Sequence, residues 1–190
     1  MTDAQRELDE LAAMTKFDLD LKPDGDHCWS EKFDRHIFKV VKISENEEPI
    51  QFYEWQVCKD GDCVFRGEQD FTSAAKAKDH GIWTLNLIHN LMNEEVNKGA
   101  WFWHKFRRQA AVGFLRPLKM GGVVMECFNV DGPQWSFLMR QNMHGDEIMK
   151  SGGVFMGVKS VKKYVRLLLF NLNMSIINHV GNTNLPHLSR

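Results

Sequence analysis

The stretch Ile50-Gln51-Phe52-Tyr53-Glu54-Trp55-Gln56-Val57-Cys58, with Lys59-Asp60-Gly61-Asp62 and Cys63-Val64-Phe65-Arg66-Gly67 after it, decides the fold. β-Branched and aromatic residues fill both flanks. Asp-Gly is the pair favoured by a two-residue hairpin turn, whose central residues need positive φ. The stretch therefore reads as a strand over 50–58, a turn at Asp60-Gly61 and a strand over 63–67. Simple alternation then places Trp55 and Val57 on one face with Val64 and the stem of Arg66.

Upstream, Ile37-Phe38-Lys39-Val40-Val41-Lys42-Ile43 is another β-rich run, set off by a polar loop at 44–49. Downstream, Thr72 or Ser73 fits a helix cap. Ala74, Ala77, Gly81, Leu85 and Ile88 then recur at helical spacing in a helix reaching about Asn93. Residues 35–97 thus form a β-meander followed by a helix. The order returns over 123–180, with strands at Val123–Phe128, Trp135–Gln141 and Glu147–Lys150 and a turn at Asp131-Gly132-Pro133. A helix comes next, from Gly157 or Val158, its apolar face made by Val158, Val161, Val165, Leu168, Leu172 and Ile176. Trp55 matches Trp135 and Phe71 matches Phe155, each pair about 80 residues apart, a period too long for a solenoid and suited to duplication of a small domain. The expected class is α+β, two diverged meander-and-helix units with an antiparallel sheet and helices on one face.

The segment Gly145-Asp146-Glu147-Ile148-Met149-Lys150-Ser151, then Phe155 and a helix, resembles the repeat of YegP-like proteins. So does Phe71-Thr72-Ser73-Ala74-Ala75 with Gly81-Ile82. The resemblance covers about thirty residues per unit and implies tandem strand-and-helix repeats sharing one sheet. It implies no site residue. The extra leading strand, the long N-terminal segment and the insertion between the units depart from that pattern.

Three segments lie outside the units. Residues 1–34 read as a short helix over 3–14, capped through Thr2 and Gln5 with Leu8, Leu11 and Ala12 as its apolar edge, followed by an extended acidic arm. In that arm Phe17, Leu19 and Leu21 alternate with polar residues, as for a strand added to a sheet edge or laid on a partner. Residues 98–122 read as a connecting helix that starts in Ala100-Trp101-Phe102-Trp103-His104-Lys105-Phe106-Arg107-Arg108 and is ended by Pro117 and Gly121-Gly122. Residues 181–190 read as a loose tail.

The net charge of −1 hides a division. Residues 1–95 hold 11 Lys/Arg and 21 Asp/Glu, whereas residues 96–190 hold 13 and 4. Such asymmetry points to a charged partner, or to the halves meeting each other, as in a homo-oligomer. In the basic half, Trp101, Trp103, Lys105, Arg107 and Arg108 combine rings for stacking with cations for phosphates. Lys159, Lys162, Lys163 and Arg166 share a helix face, suited to phosphates or an acidic partner. In the acidic half, Asp18, Asp20, Asp24 and Asp26 would meet a basic partner. Each of these groups also has a plain reading, as core edge or solvated surface.

No Walker loop, GxGxxG, HExxH, GxSxG or CxxC is present, and the eight histidines have no ligand spacing. No cofactor and no metal is expected. His27-Cys28, with Asp34 and His36 nearby, is the one thiol–imidazole grouping, and nothing in its spacing sets a base beside the thiol. Cys58 and Cys63 should face each other across the hairpin, a geometry open to a cross-strand disulfide, with two free thiols the favoured reading in a cytoplasmic chain. The acidic N-terminus resembles no secretion signal and no run suits a membrane helix. The expected function is a non-enzymatic protein-binding module, an inhibitor or assembly subunit using its acidic N-terminal half on a basic partner. The alternatives are a nucleic-acid-binding accessory protein using the basic half, and an enzyme of unrecognised class.

Overall fold

Asp60 (φ 53°) and Gly61 (φ 92°) both take the left-handed conformation. They close the two-residue hairpin turn between β4 (Tyr53–Lys59) and β5 (Asp62–Gly67). The structure is a computed structural model that describes residues 3–44, 50–67, 70–96, 101–105, 110–114, 123–141 and 145–183. Before this hairpin come α1 (Asp3–Ala13), β1 (Lys22–Pro23), β2 (Cys28–Phe33) and β3 (His36–Lys42). After it come α2 (Ala74–Val96), β6 (Trp101–Lys105), β7 (Ala110–Phe114), β8 (Val123–Asp131), β9 (Gln134–Gln141), β10 (Glu147–Ser151), β11 (Phe155–Met156) and α3 (Val158–Thr183). The chain is α+β.

One sheet of 11 strands runs β1-β2-β3-β4-β5-β10-β9-β8-β7-β6, with β11 also on β9. Every pairing between named strands is antiparallel. The two meanders therefore meet edge to edge at β5 and β10, with Arg66 opposite Lys150 and Phe65 opposite Ser151. Each meander ends by pairing a phenylalanine back onto its middle strand, Phe71 with Tyr53 and Phe155 with Trp135. A helix starts directly afterwards in both, with the Ser73 hydroxyl accepting the Lys76 N–H at the start of α2. Shared strand order is a geometric likeness; descent from one unit is a separate claim that these pairings do not establish.

The register corrects two expectations. Trp135 stands where Tyr53 stands, and the place of the fully buried Trp55 is taken by the equally buried Phe137. Val57 pairs Phe65 while Cys58 pairs Cys63, so Val64 is an extra residue in β5. A one-residue bulge reverses the facing of every residue beyond it. Trp55 and Val57 thus lie with Phe65 and Gly67, and Arg66 turns to the opposite face. Ile148 is the matching bulge in β10, skipped between Glu147–Arg140 and Met149–Met139.

Both long helices pack on the face that carries Trp55 and Phe137. Trp55 fits between Gly67 and Gly81, where a Cβ would meet its ring at 2.6 Å and 2.9 Å respectively. The inner stripes largely follow the predicted spacing, with Ala77, Leu85 and Ile88 on α2 and Val161, Val165, Leu172 and Ile176 on α3 fully buried or nearly so; Val158 and Leu168 are half-buried, and Leu169 takes the core position expected of Leu168. α1 lies on α2 through Leu8, Leu11 and Ala12.

Three segment readings change. Residues 101–105 and 110–114 are paired strands and not a connecting helix. Aromatic and β-branched side chains favour the pleated form, and a short apolar run satisfies helical and strand periods alike. The acidic arm is not a free extension: Phe17 and Leu19 are in the core, Pro23 pairs Trp29 at the sheet edge, and 28–33 is β2. The last helix continues through Thr183, into the segment read as a tail. Thr2, Arg107, Arg108 and residues 184–190 lie outside the described residues.

Candidate functional site

The apolar face of α3 that is legible in the sequence is its inner one. The helix carries a second. Leu167, Phe170, Met174 and Ile177 are 39–49% exposed. Their spacing, three, four and three residues, is that of a seam which packs another helix. Lys159, Lys163 and Arg166 lie exposed on the turns just before it, and Lys162 is half-buried. The whole of α3 contains no Asp or Glu.

α2 shows what such a face does when it is covered. His89 of α2 and Asn173 of α3, 84 residues apart, bond to each other where the helices cross. The same offset superposes Ala77 on Val161, Leu85 on Leu169, Ile88 on Leu172 and Met92 on Ile176, all buried. It also sets Leu167, Phe170 and Met174 at the positions of Trp83, Asn86 and Asn90. On α2 those three residues face α1 and the segment after it. Trp83 Nε1 donates to Asp9 at 3.0 Å, Asn86 exchanges hydrogen bonds with the Phe17 backbone, and Asn90 donates to the Leu11 carbonyl at 2.7 Å. Among the described residues nothing comparable to α1 lies on α3.

The other candidate residues fall apart as a group. Trp101, Trp103 and Lys105 are alternate residues of β6, near the opposite edge of the sheet from β1. Asp18 pairs with Lys78 at 3.2 Å, Asp20 with Lys22, and Asp24 with Lys39 at 3.8 Å and the Ser30 hydroxyl at 2.8 Å. Asp26 is exposed. Three of the four aspartates are thus engaged within the chain. The Lys22 ammonium lowers the Asp20 pKa.

Catalytic groupings fare no better. Cys28 pairs Val41 and His36 pairs Phe33, at opposite ends of the β2–β3 hairpin, so thiol and imidazole do not meet. Burial raises the Cys28 pKa. His36 does have a Ser and an Asp beside it, in the wrong order for nucleophilic catalysis. The Ser175 hydroxyl donates to Asp34 at 2.9 Å, so it accepts from His36 Nδ1, also at 2.9 Å. A nucleophilic serine would instead give its proton to the imidazole. Ser175 and His36 are both buried, and burial lowers the His36 pKa to about 4. The trio ties α3 to the β2–β3 turn. Cys58 and Cys63 are cross-strand partners and free thiols, as expected. The Cys63 thiol donates to the Phe65 carbonyl at 3.3 Å, and its closeness to Cys58 lowers the Cys58 pKa.

Sequence reading misses the outer stripe of α3 because an exposed apolar face cannot be told from a core face by periodicity alone. The available signal is the presence of two apolar stripes on one helix. Fold and surface together define an α+β protein built on a single antiparallel sheet, with one long helix covered by α1 and its counterpart carrying no such helix among the described residues. No protein-family model, curated protein or solved structure matches the chain. No helix among the described residues is long and apolar enough to cross a membrane.

Proposed function

We propose that this chain is a protein-binding module that seats an acidic amphipathic helix on the outer face of α3. The observation that carries the proposal is the exposed stripe Leu167–Phe170–Met174–Ile177, whose first three residues hold the positions that α1 and the segment after it cover on α2. Burying four half-exposed side chains of this size contributes on the order of 4 kcal/mol. Association itself costs at least as much, so the apolar stripe alone does not hold a partner. Lys159, Lys163 and Arg166 supply the remainder and set the sign of the partner's charge. α1 is a helix of the required kind, with Asp3, Glu7, Asp9 and Glu10 beside Leu8 and Leu11. The nucleic-acid alternative is supported by the same cations. It is weakened by the make-up of the stripe, in which Phe170 alone of the four residues offers a ring for a base to stack on. The reading that uses the acidic arm is weakened by the ion pairs that Asp18, Asp20 and Asp24 make within the chain.

The test is fluorescence anisotropy with two labelled synthetic helices, both with Leu on one face and carrying either Glu or Lys on the other. The Glu helix should bind, more weakly as salt rises, and Phe170→Glu should abolish binding without altering the circular dichroism spectrum. Equal binding of both helices, or binding indifferent to Phe170→Glu, would overturn the proposal. So would a stable dimer in sedimentation that Phe170→Glu dissociates, which would give the face to a second copy.

A further inference from the structure

On the face of the sheet opposite α2 and α3, the seam between the halves brings two cations together. Arg66 and Lys150 are direct cross-strand partners. They hold corresponding places, each two residues beyond a bulge, Val64 in β5 and Ile148 in β10. Like charges directly opposite on an antiparallel pair are destabilising. Glu54 forms an ion pair with one Arg66 terminal nitrogen at 3.7 Å through one carboxylate oxygen and accepts from Gln56 at 2.8 Å through the other. The buried Nε of Arg66 has no hydrogen-bond partner among the described residues.

Both cations line a cavity of about 330 Å³ that no Asp or Glu lines among the described residues. Its wall is firmly placed. Gly152 donates to the carbonyl of the bulged Val64 at 3.2 Å, and a Cβ at Gly152 would lie 2.1 Å from the Cys63 oxygen. The Ser151 hydroxyl holds Gly153 through both its N–H and its carbonyl. Leu138, Phe128 and Val154 give the cavity an apolar side.

We propose that this cavity binds a small organic anion, an oxyanion group held between Arg66 and Lys150 with an apolar body against Phe128, Leu138 and Val154. A guanidinium fork with an ammonium beside it suits phosphate or carboxylate, and an anion between the two relieves their repulsion. The inference does not depend on the α3 face, which lies on the other side of the sheet.

Isothermal titration of the full chain with phenyl phosphate, benzoate and inorganic phosphate tests it. The first two arms tell phosphate from carboxylate, and the third tests the apolar body. One of the aromatic anions should bind more tightly than inorganic phosphate. Arg66→Gln and Lys150→Gln should each weaken it about tenfold or more. Circular dichroism should show that each variant keeps the parent fold when no ligand is present. Val154→Glu, a change at an exposed position on the rim, should weaken binding without touching the core. No binding by any probe, no preference over inorganic phosphate, or binding unchanged in all three variants would overturn the proposal.

Discussion

His89 Nδ1 meets the side-chain oxygen of Asn173 at 2.7 Å where α2 crosses α3. Asn173 Nδ2 donates to Asn93 at 3.1 Å, and Asn93 Nδ2 donates back to His89 Nε2 at 3.0 Å. The three side chains form a closed ring in which each donates once and accepts once. His89 must be neutral for this, and burial lowers its pKa accordingly.

Asn173→Leu removes one member and leaves a donor on His89 and an acceptor on Asn93, both half-buried, without this partner. A fully buried group left so costs about 1–3 kcal/mol, and a half-buried one less, about 1 kcal/mol. The urea midpoint should fall clearly, and the double variant His89→Leu/Asn173→Leu should recover part of the loss. A single variant as stable as the parent would show that the ring contributes nothing.

Acid should destabilise the fold well before its carboxylates titrate. Burial lowers the pKa of both His36 and His80 from 6.5 to about 4. Trp55 Nε1 donates to His80 Nδ1 at 3.0 Å, a bond available only to the neutral ring. Between these values the unfolded chain binds the extra protons, so stability falls as the pH drops from about 6.5 to about 4, by up to roughly 1.4 kcal/mol per pH unit for each histidine. Above pH 7 neither histidine adds a slope. Urea titrations across this range would test it; a flat profile from pH 6.5 to 4.5 would contradict the burial of both rings.

Gly152 and Gly153 should respond differently to the same change. A Cβ at Gly152 meets backbone of β5, which cannot step aside, whereas at Gly153 it meets nothing within 4 Å. Gly152→Ala should cost about 1–3 kcal/mol or more, and Gly153→Ala should lie within about 0.5 kcal/mol of the parent. Thermal melts of the pair decide the matter, and equal melting temperatures would remove the close approach at the seam.

The four thiols should separate by reactivity. Cys127 is fully buried and its pKa is pushed up to about 12, so it should resist disulfide reagents in the native state. Cys58 and Cys63 are cross-strand partners, and such neighbours fall within the Cα separation a disulfide spans. A mild oxidant should link them first, seen as one cross-linked peptide by mass spectrometry. Preferential loss of the Cys127 thiol would contradict this packing.

The elements most readable in the sequence are those whose signal is local. The Asp60-Gly61 turn, the Ser73 cap and the stripe from Ala77 to Ile88 each depend on neighbours a few residues away. The 101–114 segment misleads because its aromatic run fits two periods, and tertiary pairing chooses between them. Simple alternation sets Arg66 on the wrong face because a bulge at Val64 leaves no mark in composition. The outer stripe of α3 gains its meaning only beside α1 on α2, and the Arg66–Lys150 pair only from strands far apart in the chain. The parts with a functional proposal are therefore the parts that need the fold.

The joint between β5 and β10 also bears on how the chain is made. During synthesis β5 emerges well before β10, a delay of roughly 4–16 s at usual elongation rates of about 5–20 residues per second. For that interval β5 is an open edge, the kind of strand that recruits neighbouring chains. A bulge and an inserted charge are devices that make an edge a poor template, and β5 carries both, in Val64 and Arg66. The same two residues that shape the seam in the finished molecule would thus guard the unfinished one, so replacing Arg66 with an apolar residue should show first as nascent-chain aggregation in the cell, before any change in the purified protein.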